Sequence, residues 1–211
     1  MKEPNTLGDY IIIKQIGQGP LGSVLLAEHK FMKRQYCLKV LPMELSQDRA
    51  FIQRFEEDIG RLVYLSHPNI VKVHNISYAS GRYFVVTDCI VDEIGETTNL
   101  AQHMLSLDEH LSDSELFEIL EQVADALDYA HSQVIMGKPL IHRELKLNNI
   151  LVSKTDKGPK LLLTDFGLSN IIGEGQILTR TYKSVAEALG IFDEINTPIG
   201  SDRIYATRAL D

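Results

Sequence analysis

Apolar positions along the chain follow two different periods. In the first half, short β-branched and aromatic runs alternate with turn residues. They cover Tyr10 to Ile16, Ser23 to Glu28, Tyr36 to Leu41, Ile70 to Val73 and Tyr83 to Thr87, the last two joined through Ser80-Gly81. Runs of this length between turn signals predict five strands. Between the third and fourth runs the period lengthens. Phe51, Phe55, Ile59 and Leu62 recur at helical spacing, with Asp48 in the first turn, and predict an amphipathic helix within Gln47 to Ser66. Gly60 inside that helix costs about 1 kcal/mol against Ala. His67-Pro68-Asn69 ends it, because proline disfavours helical backbone in the residue before it. Residues 88–99 are acidic and turn-rich and read as a hinge and linker. Ser112 and Glu115 form a capping box. Leu116, Ile119, Leu120, Val123, Leu127 and Ala130 then keep one helix face apolar as far as His131. Gln133 to Pro139 reads as a loop, and two short apolar runs follow, Ile150 to Val152 and Leu161 to Leu163. Past Gly167 the chain turns polar; Thr179 to Tyr182 read as a surface loop and Val185 to Phe192 as a short helix.

Composition narrows the picture. The 211 residues suffice for one domain with a sizeable core. A net charge of −8 argues against a general nucleic-acid binder, which needs a basic face. Cys37 and Cys89 lie in apolar strand-like runs and read as small buried hydrophobes in a reducing compartment rather than as a disulfide. The first residues carry no apolar signal region, and no stretch is long enough to span a bilayer. The expected setting is cytoplasmic, with no membrane partner; secretion without a cleavable signal stays open.

Chemistry concentrates in three places. Gly17-Gln18-Gly19-Pro20-Leu21-Gly22-Ser23-Val24 puts three glycines between two strands, where backbone can approach phosphates without a Cβ in the way. Lys39, between Leu38 and Val40 on the next strand, carries its charge on the face opposite those two side chains. Leu140 to Gly167 reads L-I-H-R-E-L-K-L-N-N-I-L-V, a short loop, then K-L-L-L-T-D-F-G. It places the carboxylates of Glu144 and Asp165 and the amide of Asn149 on two neighbouring loops. Such hard oxygen ligands suit Mg²⁺ that is also bound to phosphates.

The joint spacing of His142, Glu144, Lys146, Asn149 and Asp165-Phe166-Gly167 resembles the catalytic and metal loops of the protein kinase family, in its bacterial Ser/Thr style. The resemblance implies an α+β, two-lobed fold. Residues 1–87 would form an N-lobe with a five-stranded sheet and one helix, 88–99 the hinge and linker, and 100–211 an incomplete, mainly helical C-lobe ending at the activation segment. It implies ATP and Mg²⁺ as cofactors. Gly17, Gly19 and Gly22 would cover the phosphates, and Lys39 would hold them and pair with Asp58 on the helix, with Glu57 as a substitute. Thr87 would be the gatekeeper, Asp88, Cys89 and Ile90 would bind adenine, and Val24, Cys37 and Leu151 would sandwich the ring. Asn149 and Asp165 would hold metal, and Lys146 would touch the γ-phosphate. Leu62, Val73, His142 and Phe166 would stack in the interior. Arg143 would pair with a phosphorylated residue, for which Thr179, Thr181 and Ser184 are candidates.

The departures are as informative. Glu144 stands where the family has its catalytic Asp, Asp58 where it has Glu, and Leu147 where it has Pro. Gly200 to Ala209 resembles the end of an activation segment, with Arg208 and Ala209 in place of Pro and Glu. No central C-lobe helix follows, so the helix over 112–131 and the catalytic loop are expected to expose apolar surface that invites a partner or a homodimer. Three functions fit. The chain is a pseudokinase that binds Mg-ATP and acts as a scaffold, an active Ser/Thr kinase acting on a protein substrate, or an interaction module without nucleotide.

Overall fold

The structure, a computed structural model, describes residues 5–19, 21–107, 111–156 and 158–166, which fall within one compact unit. The expected features of the segment from Gly167 onward, including Thr179, Thr181, Ser184, Arg208 and Ala209, lie outside the described residues.

Strands β1 (Thr6–Leu7), β2 (Tyr10–Gly19), β3 (Gly22–His29), β4 (Gln35–Val40), β5 (Val73–Ala79) and β6 (Arg82–Asp88) form an antiparallel sheet in the order β1-β2-β3-β4-β6-β5. The sheet has six strands where five were expected, because Thr6–Leu7 add a short edge to β2. The fifth strand starts at Val73 and not at Ile70. Ile70 bridges Leu163, and the Val71 amide donates to the Leu163 carbonyl at 2.9 Å, so these residues tie the lobes together instead.

Side chains alternate across the sheet as a strand period of two requires. Leu38, Val40, Phe84 and Val86 join Leu7, Tyr10, Ala27 and Tyr36 in one buried core. Lys39, Val85 and Thr87 lie on the other face and line a pocket with Ile59, Leu62 and Asp165.

A short helix, α1 (Met43–Gln47), precedes the expected one, α2 (Arg49–Leu62). Asp48 is the cap of α2 rather than part of its first turn; its carboxylate accepts from the Phe51 amide at 3.0 Å. Phe51, Ile52, Phe55, Ile59 and Leu62 are buried, and the Phe51 and Phe55 rings stack 5.9 Å apart. Each such side chain contributes about 1.5–3 kcal/mol through burial, which outweighs Gly60.

The second half begins with α3 (Leu100–Leu105) and α4 (Asp113–Ser132), the latter opened by the expected Ser112–Glu115 capping box. Ile119, Ala126 and Ala130 bury one side of α4, whereas Leu116, Phe117 and Leu120 are 45%, 68% and 57% exposed. The apolar stripe is therefore only partly covered among the described residues. Gln122 on α4 accepts from the Asn69 side chain and the Leu161 amide, both at 2.9 Å. This fastens the turn after α2 to the second lobe.

Gln133 to Pro139 is not an open loop. It folds as a hairpin of β7 (Val134–Ile135) and β8 (Lys138–Pro139), turned by Met136 and Gly137 at φ 53° and 73°. A two-residue turn with both φ positive matches the twist of the strands it joins. A single 3₁₀ turn (Leu147–Asn149) then leads into the hairpin of β9 (Ile150–Thr155) and β10 (Gly158–Leu163).

Gly22 is a position where only glycine fits. Its φ is 124°, and a Cβ there would press on the Val40 carbonyl oxygen and sit 3.0 Å from Pro42 Cδ. Gly22→Ala is expected to destabilise the domain by about 1–3 kcal/mol, read as a lower midpoint in denaturant unfolding.

Candidate active site

The β2–β3 hairpin pairs Gly17 with Val24, Gln18 with Ser23 and Gly19 with Gly22. Three positions near its end, Gly17, Gly19 and Gly22, therefore carry no side chain. Val24 in turn pairs with Lys39, and Lys39 with Val85. Register alone carries the glycine strip to the lysine.

The Lys39 ammonium donates to Thr164 Oγ1 at 3.0 Å and forms an ion pair with Asp165 Oδ1. Both ends are largely enclosed, at 14% and 12% exposure. Asp165 has φ 66°, which an aspartate tolerates better than most residues and which aims its carboxylate back at the sheet. Thr164, which the sequence pattern did not single out, also donates its amide to the Asn149 carbonyl at 3.0 Å. Ile150 pairs with Leu163, so Asn149 and Thr164 sit at the open end of one hairpin. That hairpin is why an amide and a carboxylate far apart in sequence share one place.

Asn149 is buried, and its amide nitrogen donates to the Glu144 carbonyl at 2.9 Å. The Glu144 carboxylate accepts from Lys146 Nζ at 2.6 Å. At 32% and 46% exposure this pair adds about 0–1 kcal/mol to stability, so its meaning is positional. His142 is 2% exposed and tilts against Phe166 with ring centroids 4.5 Å apart. Leu62, Val73 and Phe166 line one pocket, and of the expected interior stack the His142–Phe166 contact is formed.

Burial holds the His142 pKa below its ordinary 6.5, since the charged ring would lose its water. A depressed folded value means the unfolded chain binds the proton first. His142 is therefore expected to cost the fold stability as pH falls from 6.5 toward the folded value. Thermal unfolding between about pH 7.5 and pH 5.5 should fall more gently in His142→Gln than in the parent.

At the hinge, Thr87 is 3% exposed and pairs with Cys37 across the sheet, its hydroxyl within 3.2 Å of the Asp88 carbonyl. Asp88 is held by His74 Nε2 at 2.7 Å, a partner the sequence reading missed. Burial raises the Cys37 thiol, and raises Cys89 to about 11, so both remain protonated and behave as apolar surface. Lys14 joins Glu96 at 2.5 Å, and the Val152 amide donates to the Thr98 carbonyl at 2.9 Å. Asn99 bridges Leu151, so the end of the linker and Leu151 flank one another.

Asp58 is the correction. Its carboxylate is 3.7 Å from Arg61 Nη1 and 39% exposed, and it is not the partner of Lys39. Glu57 is exposed as well. Ile59, the next residue along, faces the pocket instead, because the buried stripe Phe51, Phe55, Ile59 and Leu62 fixes the rotation of α2. Arg143 is exposed with φ 67°, and the phosphorylated partner expected for it lies outside the described residues. No helix among the described residues is long and apolar enough to cross a membrane.

Comparison with known proteins matches this geometry. The protein kinase domain family matches residues 10–187. The Ser/Thr-protein kinase pkn1 of Chlamydia caviae is 37% identical over 166 residues, covering 79% of this chain and 26% of its own. The Ser/Thr-protein kinase PknF of Mycobacterium tuberculosis is 32% identical over 186 residues, covering 88% of this chain and 37% of its own. The chain thus spans about a quarter to a third of the length of such relatives. The crystal structure of the Mycobacterium tuberculosis PknI kinase domain superposes with a TM-score of 0.63 at 28% identity, over 79% of this chain and 63% of that one. A glycine hairpin, a strand lysine paired to the aspartate before Phe166, and relatives named as Ser/Thr kinases converge: the chain belongs to the protein kinase family, in its bacterial Ser/Thr branch.

Proposed function

We propose that this domain binds Mg-ATP and acts mainly as a pseudokinase scaffold, with phosphoryl transfer to a Ser/Thr hydroxyl that is weak. The observation that carries this reading is a split site. The residues proposed for the nucleotide lie together, with Lys39 joined to Thr164 and Asp165 and paired in register with Val24 of the glycine hairpin. The transfer half is compromised, with Glu144 for Asp and its carboxylate tied to Lys146.

The residues present fit the cofactor. Gly17 and Gly19 leave hairpin backbone without a Cβ, and one added there would meet Val24 at 3.9 and 3.5 Å. The Asn149 nitrogen is committed to a carbonyl, so its oxygen is the atom left to offer a cation. Two protein oxygens suit Mg²⁺, which keeps water and phosphate in its shell. Bound there, Mg-ATP would supply an activated γ-phosphoryl group. Lys39 would hold phosphate oxygens. Thr87, Asp88, Cys89 and Ile90 would meet the adenine edge, and Val24, Cys37 and Leu151 its faces. Glu144 would orient the acceptor hydroxyl, and Lys146 would steady charge beside it.

The active-kinase reading draws on the same Glu144–Lys146 contact, since the carboxylate still stands in the loop with its lysine. Thermal unfolding with and without Mg-ATP tests the nucleotide claim, and a transition indifferent to Mg-ATP would leave the interaction module. Radiolabel transfer then separates kinase from pseudokinase.

A further inference from the structure

Lys14 lies on β2, shortly before Gly17, and its side chain reaches the linker. The ammonium donates to the Ile94 carbonyl at 3.0 Å and forms an ion pair with Glu96 at 2.5 Å. The linker presents those two groups from a turn that is bonded within itself. Asp92 Oδ1 accepts from the Ile94 and Glu96 amides at 3.0 and 2.8 Å. The Gly95 amide donates to the Asp92 carbonyl at 3.0 Å, and the Asp92 amide to the Glu96 carbonyl at 2.9 Å. Gly95 has φ 76°, and a Cβ there would lie 3.2 Å from both Leu26 Cδ2 and Lys14 Cε. The turn is therefore seated against β2 and β3, since Leu26 is the register partner of Lys14.

The place of the lysine on β2 gives this contact its meaning. The β2–β3 register slips twice, leaving Ile13 and Ile16 without partners on either side of Lys14 and Gln15. A bulged strand loses ladder bonds and bends at the bulge. The root of the glycine hairpin is thus held by two register pairs between two bulges, and Lys14 adds a hold from outside the ladder. The far end of the linker is fixed to the second lobe, through the Val152 amide on the Thr98 carbonyl and the Asn99–Leu151 bridge. At 33% and 56% exposure the Lys14–Glu96 pair adds little to global stability. Its effect is on how freely the hairpin root moves against the linker.

We propose that Lys14 is a positioning residue for the nucleotide: it straps the linker turn to the root of the glycine hairpin, so that the hairpin resists lifting and bound nucleotide leaves slowly. A gate of this kind sets a release rate without touching the ligand. The release consequence rests on the Mg-ATP reading; the strap itself does not.

The test has two arms. In the first, a fluorescent ADP analogue is chased from the protein in Mg²⁺ by excess ATP. Lys14→Met is expected to speed release by about fivefold, with association little changed. Lys14→Arg, which keeps donors for both oxygens, should restore slow release. Lys14→Met combined with Glu96→Gln should be no faster than Lys14→Met alone, since both act on one contact. The gap between parent and Lys14→Met should narrow toward about 1 M salt, where an exposed pair is screened. In the second arm, hydrogen exchange is followed without nucleotide. Amides of the linker turn and of the glycine hairpin should quicken together in Lys14→Met. A merely structural lysine would lower the melting temperature and leave release unchanged, which overturns the proposal. So do effects of Lys14→Met and Glu96→Gln that simply add, or exchange that quickens in the linker alone. If the parent binds no nucleotide, the Mg-ATP reading fails and the exchange arm decides the strap. Should Lys14→Met fail to fold, Glu96→Gln, at an exposed position, carries both arms.

Discussion

Glu144→Asp is expected to raise phosphoryl transfer to a protein hydroxyl by up to about 10²-fold, the scale of a reacting group misplaced by about 1 Å. The extra methylene of Glu144 moves the carboxylate by roughly that much, one C–C bond, relative to the family's aspartate. In the structure that longer reach brings the carboxylate to Lys146 Nζ at 2.6 Å. Shortening it withdraws the acceptor from the lysine and leaves Lys146 free for phosphate. The Asn149 side chain is held by the Glu144 backbone carbonyl and not by its carboxylate, so the substitution leaves that anchor in place. The measurement is radiolabel transfer from ATP to a generic Ser/Thr protein acceptor, with unfolding curves to establish that both proteins fold alike. Equal turnover in the two would remove Glu144 as the cause of weak chemistry.

Mg-ATP at about 100-fold its dissociation constant is expected to stabilise the parent by about 2.7 kcal/mol. For a domain of this size that is a rise of about 5–10 °C in melting temperature. Lys39→Ala and Asp165→Ala should each abolish the rise. They should also lower the transition without nucleotide, because each strands the partner of an ion pair that is 14% and 12% exposed. Breaking an enclosed pair by one partner costs up to about 3–5 kcal/mol. Thr164→Val provides the graded control. It removes one 3.0 Å hydrogen bond to Lys39 and should retain most of the response. A parent whose transition ignores Mg-ATP would count against nucleotide binding and in favour of the interaction module.

Much of the fold is local enough to be read from the chain. The buried stripe of α2, the Ser112–Glu115 cap of α4 and the face of Lys39 opposite Leu38 and Val40 all follow from short-range periodicity and capping chemistry. The glycine hairpin and the pairing of Asn149 with the neighbourhood of Asp165 follow from strand register. Other features were out of reach for a physical reason. Ile70 reads as strand by composition, yet its backbone is taken by Leu163, far along the sequence. The Met136-Gly137 turn needs positive φ at a methionine, which propensity does not suggest.

The sequence by itself determined the kinase family and the two-lobed fold, because the joint spacing of His142, Glu144, Asn149 and Asp165 carries the resemblance. Only the tertiary structure decided which charges pair. Asp58 stands at the position from which a carboxylate would be expected to reach Lys39, but the burial of Ile59 on the neighbouring face leaves it beside Arg61 instead. Lys39 then pairs with Asp165, and Arg61 finds its partners in carbonyls of a hairpin in the other lobe. Ion pairing depends on where side chains end in space, and one methylene or one helical step is enough to change the partner.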